Sequence, residues 1–298
     1  MSGRTLPRAD PSAVLELLKP VTWFPPVWAF LCGALASGAD WRWGPVALGL
    51  LLAGPMVCAT SQAVNDWFDR HVDAINEPNR PIPSGRLPGR MGLHIALLWS
   101  LASLLVGATL GLPGILATVL ALMLAWAYSA PPLRLKANGW WGNLACGLSY
   151  ETLPWITAGA VLLGTLPGWP VLVVGLLYGL GAHGIMTLND FKSITGDRRT
   201  GVDSLPVLLG PDRAARVALA IMAAAQLTVT AVLAGLGLWL AAAIVLALLG
   251  AQGLLMPRFL ADPRAGAIRY SAAGVGLYVL GMLAAALALR SLAGGGLS

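Results

Sequence analysis

The sequence predicts an all-α membrane protein with nine transmembrane helices. Of its 298 residues, 57% are hydrophobic and only 11% are charged, whereas soluble domains carry about 25% charged residues. The mean hydropathy is +0.74, and nine apolar segments are long enough to cross a bilayer, which takes roughly 17–25 residues. This composition excludes a soluble globular protein. The isoelectric point near 9.7 indicates basic loops beside a membrane and not a nucleic-acid-binding protein.

The predicted spans form one membrane domain, from residue 21 to residue 290. A cytoplasmic N-terminal segment (1–20) precedes it, and a short C-terminal tail (291–298) follows it. The pairs of spans around Pro113 and Gly235 are predicted as helical hairpins with almost no loop. The nine spans are placed at 21–38, 45–64, 92–110, 113–130, 142–163, 168–189, 214–234, 236–256 and 271–290.

The lysines and arginines orient these spans. With the N-terminus in the cytoplasm, all of the 19 lysines and arginines except Arg42 and Arg290 fall in cytoplasmic segments. Cytoplasmic loops of membrane proteins are enriched in these residues. The sequence therefore predicts a cytoplasmic N-terminus and a C-terminus on the opposite side. The second and sixth spans then both run towards the cytoplasm.

The second span leads into an acidic stretch, residues 65–73, with a carboxamide from Asn65 and carboxylates from Asp66, Asp69 and Asp73. On a helix these aspartates are spaced i, i+3 and i+7, which places them on one face. Like charges at this spacing repel each other, and a divalent cation among them would remove the repulsion. Ligands that are all oxygen suit Mg²⁺, which commonly bridges carboxylates to substrate phosphates. The spacing therefore favours a magnesium site.

The sixth span ends in a similar way. The Asn-Asp-aromatic pattern of residues 65–67 recurs here as Asn189, Asp190 and Phe191. Asp197 then follows two helical turns after Asp190. The repeat predicts an internal duplication of a four-helix unit, with a ninth helix added. Both acidic helix ends would then lie on the cytoplasmic side and converge on one cavity, under a roof formed by the two adjacent cytoplasmic loops.

Basic residues accompany both acidic stretches. A bound diphosphate needs Mg²⁺ to bridge its oxygens to carboxylates, and basic side chains to take its remaining charge. The alternative interpretation is two solvated helix ends with surface ion pairs. The Pro- and Gly-rich stretch 77–86 cannot continue a helix, which makes it a loop that would aim Arg80 at the phosphates. The residues predicted to bind diphosphate are Arg70, Arg80, Lys136, Lys192 and Arg198.

Glu151 is the one acidic residue well inside a predicted span. Because a carboxyl group is costly within a bilayer, such a residue is a functional candidate. It would either bond the polar edge of a substrate or pack as a protonated side chain. His183 would either ligate a metal in a ligand or bond a neighbouring helix. Most tryptophans belong to interfacial belts, although Trp23, Trp28 and Trp155 could line a pocket for a flat aromatic ligand.

Together these motifs resemble the UbiA superfamily of intramembrane prenyltransferases, and within it the branch that contains the chlorophyll and bacteriochlorophyll synthases. The resemblance extends from about residue 15 to residue 210, and more loosely to the C-terminus. One difference is Ser193, because many superfamily members carry an aspartate at this position, and its absence leaves the coordination of a second cation open. The stretches that carry the resemblance are 19–29, 65–73, 73–85, 128–140 and 189–198.

The resemblance implies nine helices around a central cavity that opens to the cytoplasm and to the bilayer. It also implies an Mg²⁺-dependent prenyltransferase that esterifies a tetrapyrrole propionate with geranylgeranyl or phytyl diphosphate. The acceptor would be bacteriochlorophyllide a or, alternatively, chlorophyllide a. Such an enzyme would lie in a bacterial inner (intracytoplasmic) membrane, with a periplasmic C-terminus. Pigment-biosynthesis or light-harvesting assembly proteins would be candidate partners.

The resemblance also implies roles for individual residues. Because a propionate is ionised near neutral pH, its attack on an allylic cation needs no strong general base. The residues that would act in catalysis are Asp69, Asp73, Arg80, Asp190 and Asp197. The metal ligands would be Asn65, Asp66, Asp69, Asp73, Asp190 and Asp197. The substrate pocket would include Lys19, Trp23, Trp28, Tyr128, Tyr150, Glu151, Trp155, His183 and Asn189.

Two other functions fit part of the sequence. A quinone-pathway prenyltransferase acting on an aromatic acid would use the same aspartate motifs, but it does not explain the stretches 73–85 and 128–140. A transporter would carry charged residues and broken helices near the middle of the bilayer. Only Glu151 and His183 are candidates for that position.

Overall fold

The computed structural model describes residues 10–294 and is almost entirely helical. Residues 1–9 of the predicted N-terminal segment, with Arg4 and Arg8, and residues 295–298 of the predicted tail lie outside this described part. Short 3₁₀ turns occur at Pro20–Thr22 and Leu135–Ala137. The helices are α1 (Pro11–Leu18), α2 (Phe24–Ala36), α3 (Trp43–Asn76), α4 (Met91–Thr109), α5 (Gly111–Ser129), α6 (139–163), α7 (Trp169–Asp190), α8 (Ile194–Thr200), α9 (Leu205–Leu209), α10 (Pro211–Gly235), α11 (Trp239–Ala261) and α12 (Pro263–Gly294).

Within residues 10–294, seven helices are long and apolar enough to cross a membrane, namely α3, α4, α5, α7, α10, α11 and α12. The chain is therefore an all-α, multi-pass membrane protein, as the sequence predicts. Two further predicted spans correspond to α2, which is apolar but has only 13 residues, and to α6, which carries polar side chains at its centre. The count of nine spans remains a prediction, as does the internal duplication.

The first aspartate motif lies on an unusually long helix. α3 has 34 residues, and at 1.5 Å per residue it is about 50 Å long. The hydrocarbon core of a bilayer is about 30 Å thick, so the C-terminal turns of α3 extend beyond it. The second motif begins where α7 ends, at Asp190.

The largest hydrophobic core lies between α2, α6, α7, α10, α11 and α12. Gly175 allows α7 to approach the ring of Trp155 on α6. The buried Trp155 indole donates a hydrogen bond to the Val171 carbonyl at 2.9 Å. The Tyr278 hydroxyl of α12 donates to the Tyr178 carbonyl at 2.8 Å. These satisfied aromatic groups pack the helices into a continuous wall.

Two helices on the inner side of this wall contain a π-helical turn. In α3 the turn is Leu52–Cys58, and in α6 it is Leu148–Thr152. The Pro55 carbonyl, within the first turn, accepts a hydrogen bond from the Trp99 indole of α4 at 3.1 Å. A π turn inserts an extra residue into a helix and is frequent at functional sites.

Two loops that follow α5 and α8 pair with each other on the side where the motifs lie. The Gly139 amide donates to the Asp203 carbonyl at 2.8 Å, and the Asp203 amide donates to the Ala137 carbonyl at 2.9 Å. Residue 139 must be glycine, because a side chain would collide with the backbone of Ser204 and Leu205. The pairing fixes the positions of Lys136 and the second motif relative to each other.

Candidate active site

Two adjoining cavities occupy the space between the helices. A polar chamber of about 490 Å³ lies at the ends of α3 and α7. An apolar cavity of about 610 Å³ lies between α2, α3, α5, α6, α7 and α12. The arrangement joins a site for charged groups to a site for apolar groups. The residues that line both are Asn65, Tyr128, Asp190, Lys192 and Ser193.

Two carboxylates of the first motif, Asp69 and Asp73, line the polar chamber. Asp69 pairs with the Lys136 ammonium at 2.5 Å, and Arg134 lies 4.0 Å from its other oxygen. Asp73 pairs with the Arg80 guanidinium at 2.9 Å. Burial lowers the pKa of Lys136, and the charge of Asp69 opposes this shift. Each of these carboxylates therefore has a cationic partner.

Asp66 is placed differently from the other two aspartates of the first motif. Its side chain is 3% exposed and pairs with Lys19 at 2.6 Å and with Arg80 at 3.3 Å. Asp66 and Asp73 lie on the same side of α3, where Arg80 contacts both. Asp66 therefore lies behind the chamber wall and is neutralised by cations. The residues of this motif that line the chamber are Asn65, Asp69 and Asp73.

Both aspartates of the second motif line the polar chamber, but their hydrogen-bond donors are neutral. The Asn143 amide donates to Asp190 at 3.1 Å, and the Ser204 hydroxyl donates to Asp197 at 2.7 Å. Burial raises the pKa of Asp197, the Ser204 hydrogen bond opposes the rise, and the charge of Asp69 adds to it. The two motifs are therefore close enough for their charges to interact, as the sequence predicts.

The carboxylates of the two motifs line one chamber without forming a compact metal cage. α8 approaches the end of α3, since a methyl group added at Gly196 would lie 3.3 Å from the Asn76 amide. Across residues 10–294, no three His, Cys, Asp or Glu side chains already stand close enough to hold one ion. A cation bound here would take ligands from separate carboxylates and from a bound phosphate, as Mg²⁺ commonly does.

The structure brings together three of the five cations predicted to bind diphosphate, Arg80, Lys136 and Lys192. Arg70 instead lies over the Trp67 ring, 4.1 Å from its centroid, and donates to the Trp67 carbonyl. Arg198 is exposed and lies off the chamber wall described for residues 10–294. Two further basic residues that accompany the acidic stretches in the sequence, Arg134 and Arg199, also line the chamber.

The apolar cavity is lined by four of the residues predicted for a substrate pocket, Tyr128, Tyr150, Glu151 and Asn189. Gln62 of α3 donates a hydrogen bond to the Tyr150 hydroxyl at 3.0 Å and so connects α3 to α6. Most of the remaining wall consists of apolar side chains from α2, α5, α7 and α12. The cavity therefore suits a hydrocarbon chain or a flat apolar ring.

The three tryptophans predicted for the pocket lie outside the walls of both cavities of the described chain. Trp155 is fully buried in the core. The Trp23 indole donates to the Leu18 carbonyl at 2.9 Å, and the Trp28 indole donates to the Val279 carbonyl at 3.1 Å. Their rings thus pack between helices, with their N–H groups satisfied by backbone oxygens. The structure does not support the prediction that they form a pocket for a flat ligand.

Lys19 and His183 also lie away from the apolar cavity in the described part of the chain. Lys19 is engaged by Asp66. His183 is buried, and its ring lies 5.6 Å from that of Trp140, centroid to centroid. Lys19 thus pairs with α3, and the His183 ring packs against α6 while its Nδ1 atom makes no hydrogen bond within the described chain. A role for either residue in binding a substrate stays a prediction.

Several polar residues at the site were missed in the sequence. Gln62 precedes Asn65 by three residues, so the helical period places it on the same face and could have identified it. Asn143 and Ser204 offered no such signal. Asn143 reaches Asp190 from 47 residues away, a contact that depends on how α6 and α7 pack.

Comparison with known proteins identifies relatives that are prenyltransferases or pigment synthases. The sequence matches the UbiA prenyltransferase family over residues 23–272. The bacteriochlorophyll synthase 33 kDa chain of Cereibacter sphaeroides is 54% identical, over 95% of this chain and 94% of that protein. The bacteriochlorophyll synthase 34 kDa chain of Chloroflexus aurantiacus is 47% identical, over 93% of this chain and 90% of that protein. The chloroplastic chlorophyll synthase of Arabidopsis thaliana is 42% identical, over 92% of this chain and 73% of that protein.

Solved structures share the fold. A UbiA homolog from Archaeoglobus fulgidus bound to GPP and Mg²⁺ superimposes with a TM-score of 0.71 at 20% identity, over 94% of this chain and 99% of that one. A structure of digeranylgeranylglyceryl phosphate synthase gives a TM-score of 0.72 at 19% identity, over 93% and 98%.

Proposed function

This chain belongs to the UbiA prenyltransferase family, and on this premise we propose that it esterifies the propionate of bacteriochlorophyllide a with geranylgeranyl or phytyl diphosphate and releases diphosphate. The observation that carries the proposal is a chamber with carboxylates and cations beside an apolar cavity. The choice of acceptor is supported by identities of 54% and 47% to bacteriochlorophyll synthases, against 42% to a chlorophyll synthase.

The donor set of the polar chamber fits Mg²⁺. All of its candidate ligands are oxygen atoms, from Asn65, Asp69, Asp73, Asp190 and Asp197, and such ligands suit this ion. The UbiA homolog from Archaeoglobus fulgidus was solved with Mg²⁺ and GPP. Asp69, Asp73, Asp190 and Asp197 would hold the ion, and when bound it would stabilise the negative charge that develops on the departing diphosphate.

The basic residues of the chamber bind the remaining charge of the diphosphate. Lys136 and Arg80 already lie in the chamber, held by Asp69 and Asp73, so they exchange a carboxylate partner for a phosphate partner. Their contacts strengthen as the allylic C–O bond breaks, because its electron pair leaves with the diphosphate oxygen. Stabilising this developing charge more than the ground state accelerates the reaction.

The acceptor completes the reaction without a strong base. A propionate is ionised near neutral pH, and its oxygen forms the new C–O bond to the allylic carbon that lost diphosphate. No proton has to be removed in this step. The apolar cavity keeps water away from the allylic cation, which water would otherwise capture.

The proposed reaction is tested with the detergent-purified full chain. We incubate it with Mg²⁺, geranylgeranyl diphosphate and either bacteriochlorophyllide a or chlorophyllide a, and separate ester from free pigment by chromatography. We expect ester from bacteriochlorophyllide a with a kcat/KM at least about tenfold above that for chlorophyllide a. We also expect no ester when EDTA replaces Mg²⁺. No ester with either pigment would overturn the proposal, and a preference for chlorophyllide a would reassign the acceptor.

We further propose the orientation and the surroundings of the enzyme. The positive-inside distribution supports a cytoplasmic polar chamber, a cytoplasmic N-terminus and a periplasmic C-terminus in a bacterial inner (intracytoplasmic) membrane, with residues 21–290 as the membrane domain. Reporter fusions at residues 20 and 298 test this orientation. Co-purification under mild detergent tests an association with pigment-biosynthesis or light-harvesting assembly proteins.

A further inference from the structure

The carboxyl group of Glu151 lacks a complete set of partners on the wall of the apolar cavity. The side chain is 5% exposed, it lines the cavity, and its Oε2 atom makes no hydrogen bond. No lysine or arginine within residues 10–294 pairs with it. Unpaired buried polar groups are costly and rare in folded proteins. α6 corresponds to a predicted span, in which an acidic side chain is a functional candidate.

The π turn Leu148–Thr152 of α6 directs this carboxyl group to the cavity. Ser149, Tyr150 and Glu151 are consecutive, and all three line the cavity. In a regular α-helix with 3.6 residues per turn, consecutive side chains diverge by about 100°, and three in a row seldom face one space. The widened turn therefore concentrates polar side chains on one part of an otherwise apolar wall.

Two neighbouring polar side chains, Tyr150 and Thr152, have partners within the protein. The Tyr150 hydroxyl accepts a hydrogen bond from Gln62 at 3.0 Å. The Thr152 hydroxyl donates to the Gly175 carbonyl of α7 at 3.1 Å. On this turn, the Oε2 atom of Glu151 is a buried acidic oxygen that finds no partner among the described residues.

We propose that Glu151 binds the acceptor, donating a hydrogen bond from its neutral carboxylic acid to a carbonyl oxygen on the edge of the tetrapyrrole ring. This proposal rests on the proposed function. The prenyl chain is a hydrocarbon and would leave the carboxyl group unpaired, whereas the ring carries carbonyl oxygens that accept hydrogen bonds. An ionised carboxylate without a cation would be costly in this apolar place, so the acid form is the one that suits a carbonyl partner.

The assignment of Glu151 determines how the two substrates share the cavity. The macrocycle lies against the part of α6 that carries the π turn. The prenyl chain is left with the wall formed by α5, where Ala117, Ala121 and Ala125 are small and apolar. The propionate reaches the polar chamber where the two cavities meet, at Asn65 and Tyr128.

Two substitutions of Glu151 separate a substrate contact from a structural role. Glu151→Leu removes the hydrogen bond, and we expect the KM for the acceptor to rise roughly tenfold while the KM for prenyl diphosphate stays within about twofold. Glu151→Gln keeps an N–H donor, and we expect both KM values to stay within about threefold of those of the parent. Thr152→Val is the matched control, because it removes a hydroxyl from the same π turn that bonds to α7 and should leave both KM values unchanged.

The carbonyl stretching band of the bound acceptor reports the hydrogen bond directly. We expect resonance Raman spectra to show this band at a lower frequency in the parent protein and in Glu151→Gln than for the pigment in detergent. In Glu151→Leu the band should return to the detergent value. Because the parent spectrum is informative alone, an unshifted parent band overturns the proposal even if Glu151→Leu does not fold.

Three kinetic outcomes also overturn the proposal. They are an unchanged acceptor KM in Glu151→Leu, a rise in the KM for prenyl diphosphate instead, and equal defects in the Leu and Gln variants. These results require that the parent protein forms ester. A parent that forms no ester counts against the proposed function and is thus distinguished from a failure at Glu151.

Discussion

The two aspartate motifs meet in one chamber but satisfy their carboxylates in different ways. The chamber-lining aspartates of the first motif pair with Lys136 and Arg80, at 2.5 and 2.9 Å. Asp190 and Asp197 of the second motif accept hydrogen bonds from a neutral amide and a neutral hydroxyl. Within residues 10–294 no salt bridge reaches either of them. The chamber-lining carboxylates of the first motif therefore have cationic partners, whereas those of the second motif have neutral hydrogen-bond donors.

This difference suggests distinct tasks for the two motifs. A divalent cation that binds the second motif displaces no salt-bridged lysine or arginine from its carboxylates, whereas at the first motif it competes with Lys136 and Arg80. The first motif holds two cations inside the chamber, where a diphosphate with several charged oxygens can take them over. We infer that the second motif initiates metal binding and that the first supplies basic groups to the phosphates.

The largest effect is expected from Asp69→Asn. This change keeps the shape of the side chain, but it replaces a charged candidate metal ligand with a neutral one and removes the charge that holds Lys136. We expect turnover to fall by more than about a hundredfold, since one group that stabilises a developing charge contributes on this scale. Pigment binding should stay within about twofold. Ester formation and equilibrium binding of pigment to the purified protein are the two measurements.

Asp203→Asn is the matched control for this prediction. The side chain of Asp203 is exposed, and only its backbone takes part in the loop pairing. The turnover of the Asp203→Asn variant should therefore match that of the parent. If Asp69→Asn instead loses pigment binding and little else, the pigment site lies on that face of the chamber.

A smaller and metal-dependent effect is expected from Asp197→Asn in the second motif. If this motif recruits the cation, the Mg²⁺ concentration for half-maximal activity should rise about tenfold, with partial recovery at high Mg²⁺. Ser204→Ala removes only the hydroxyl donor to Asp197 and should raise that concentration no more than about threefold. Activity is measured against Mg²⁺ added after EDTA treatment. Equal Mg²⁺ dependence in the Asp197 variant and the parent would contradict the division of tasks.

The features that could be predicted from the sequence depend on local spacing. The sixth predicted span, 168–189, corresponds to α7 at Trp169–Asp190, because length and apolar composition are sufficient to identify such a helix. The aspartate motifs were also recognisable, since their spacing on a helix is a local property. Helical period did not distinguish Asp66 from Asp69, because the difference between them comes from which cation approaches each one.

The features that could not be predicted depend on packing between distant segments. Lys19 reaches Asp66 across 47 residues. Trp155 lies in an apolar segment, and such a tryptophan has the same sequence signature whether it faces lipid, a cavity or the core. The structure places it in the core because the indole N–H finds the Val171 carbonyl of α7. Contacts of this kind require the arrangement of the helices to be known.

Arg80→Lys tests whether the first motif supplies basic groups to the phosphates, and its effect on turnover should be smaller than that of Asp69→Asn. Arg80 contacts Asp66, Asp73 and Glu77 at once, and a lysine cannot reproduce such a planar fork. We expect the KM for prenyl diphosphate to rise about tenfold, while the KM for the acceptor changes less than about twofold. Arg86→Lys is the control, because Arg86 pairs with the exposed Glu16. A larger change in the acceptor KM would assign Arg80 to the pigment.

The smallest effect on turnover is expected from Lys19→Met, which tests whether Asp66 is a metal ligand or a positioning residue for Arg80. The change leaves a carboxylate with 3% exposure to be neutralised by Arg80 alone, at 3.3 Å. Leaving a buried charge unpaired costs about 3–5 kcal/mol. Because Arg80 still pairs with Asp66, we expect a smaller loss of about 1–3 kcal/mol, seen as lower thermal stability in detergent. Glu16→Gln breaks an exposed pair and should cost less than about 1 kcal/mol.

The double variant Lys19→Met/Asp66→Asn decides between these two roles of Asp66. If Asp66 serves to hold Lys19 and Arg80, removing both charges leaves no unpaired ion, and stability should recover in part relative to Lys19→Met. Turnover should then remain within about tenfold of the parent, because Asp69 and Asp73 still line the chamber. If Asp66 ligates the metal directly, the double variant should be as inactive as Asp69→Asn, whatever its stability.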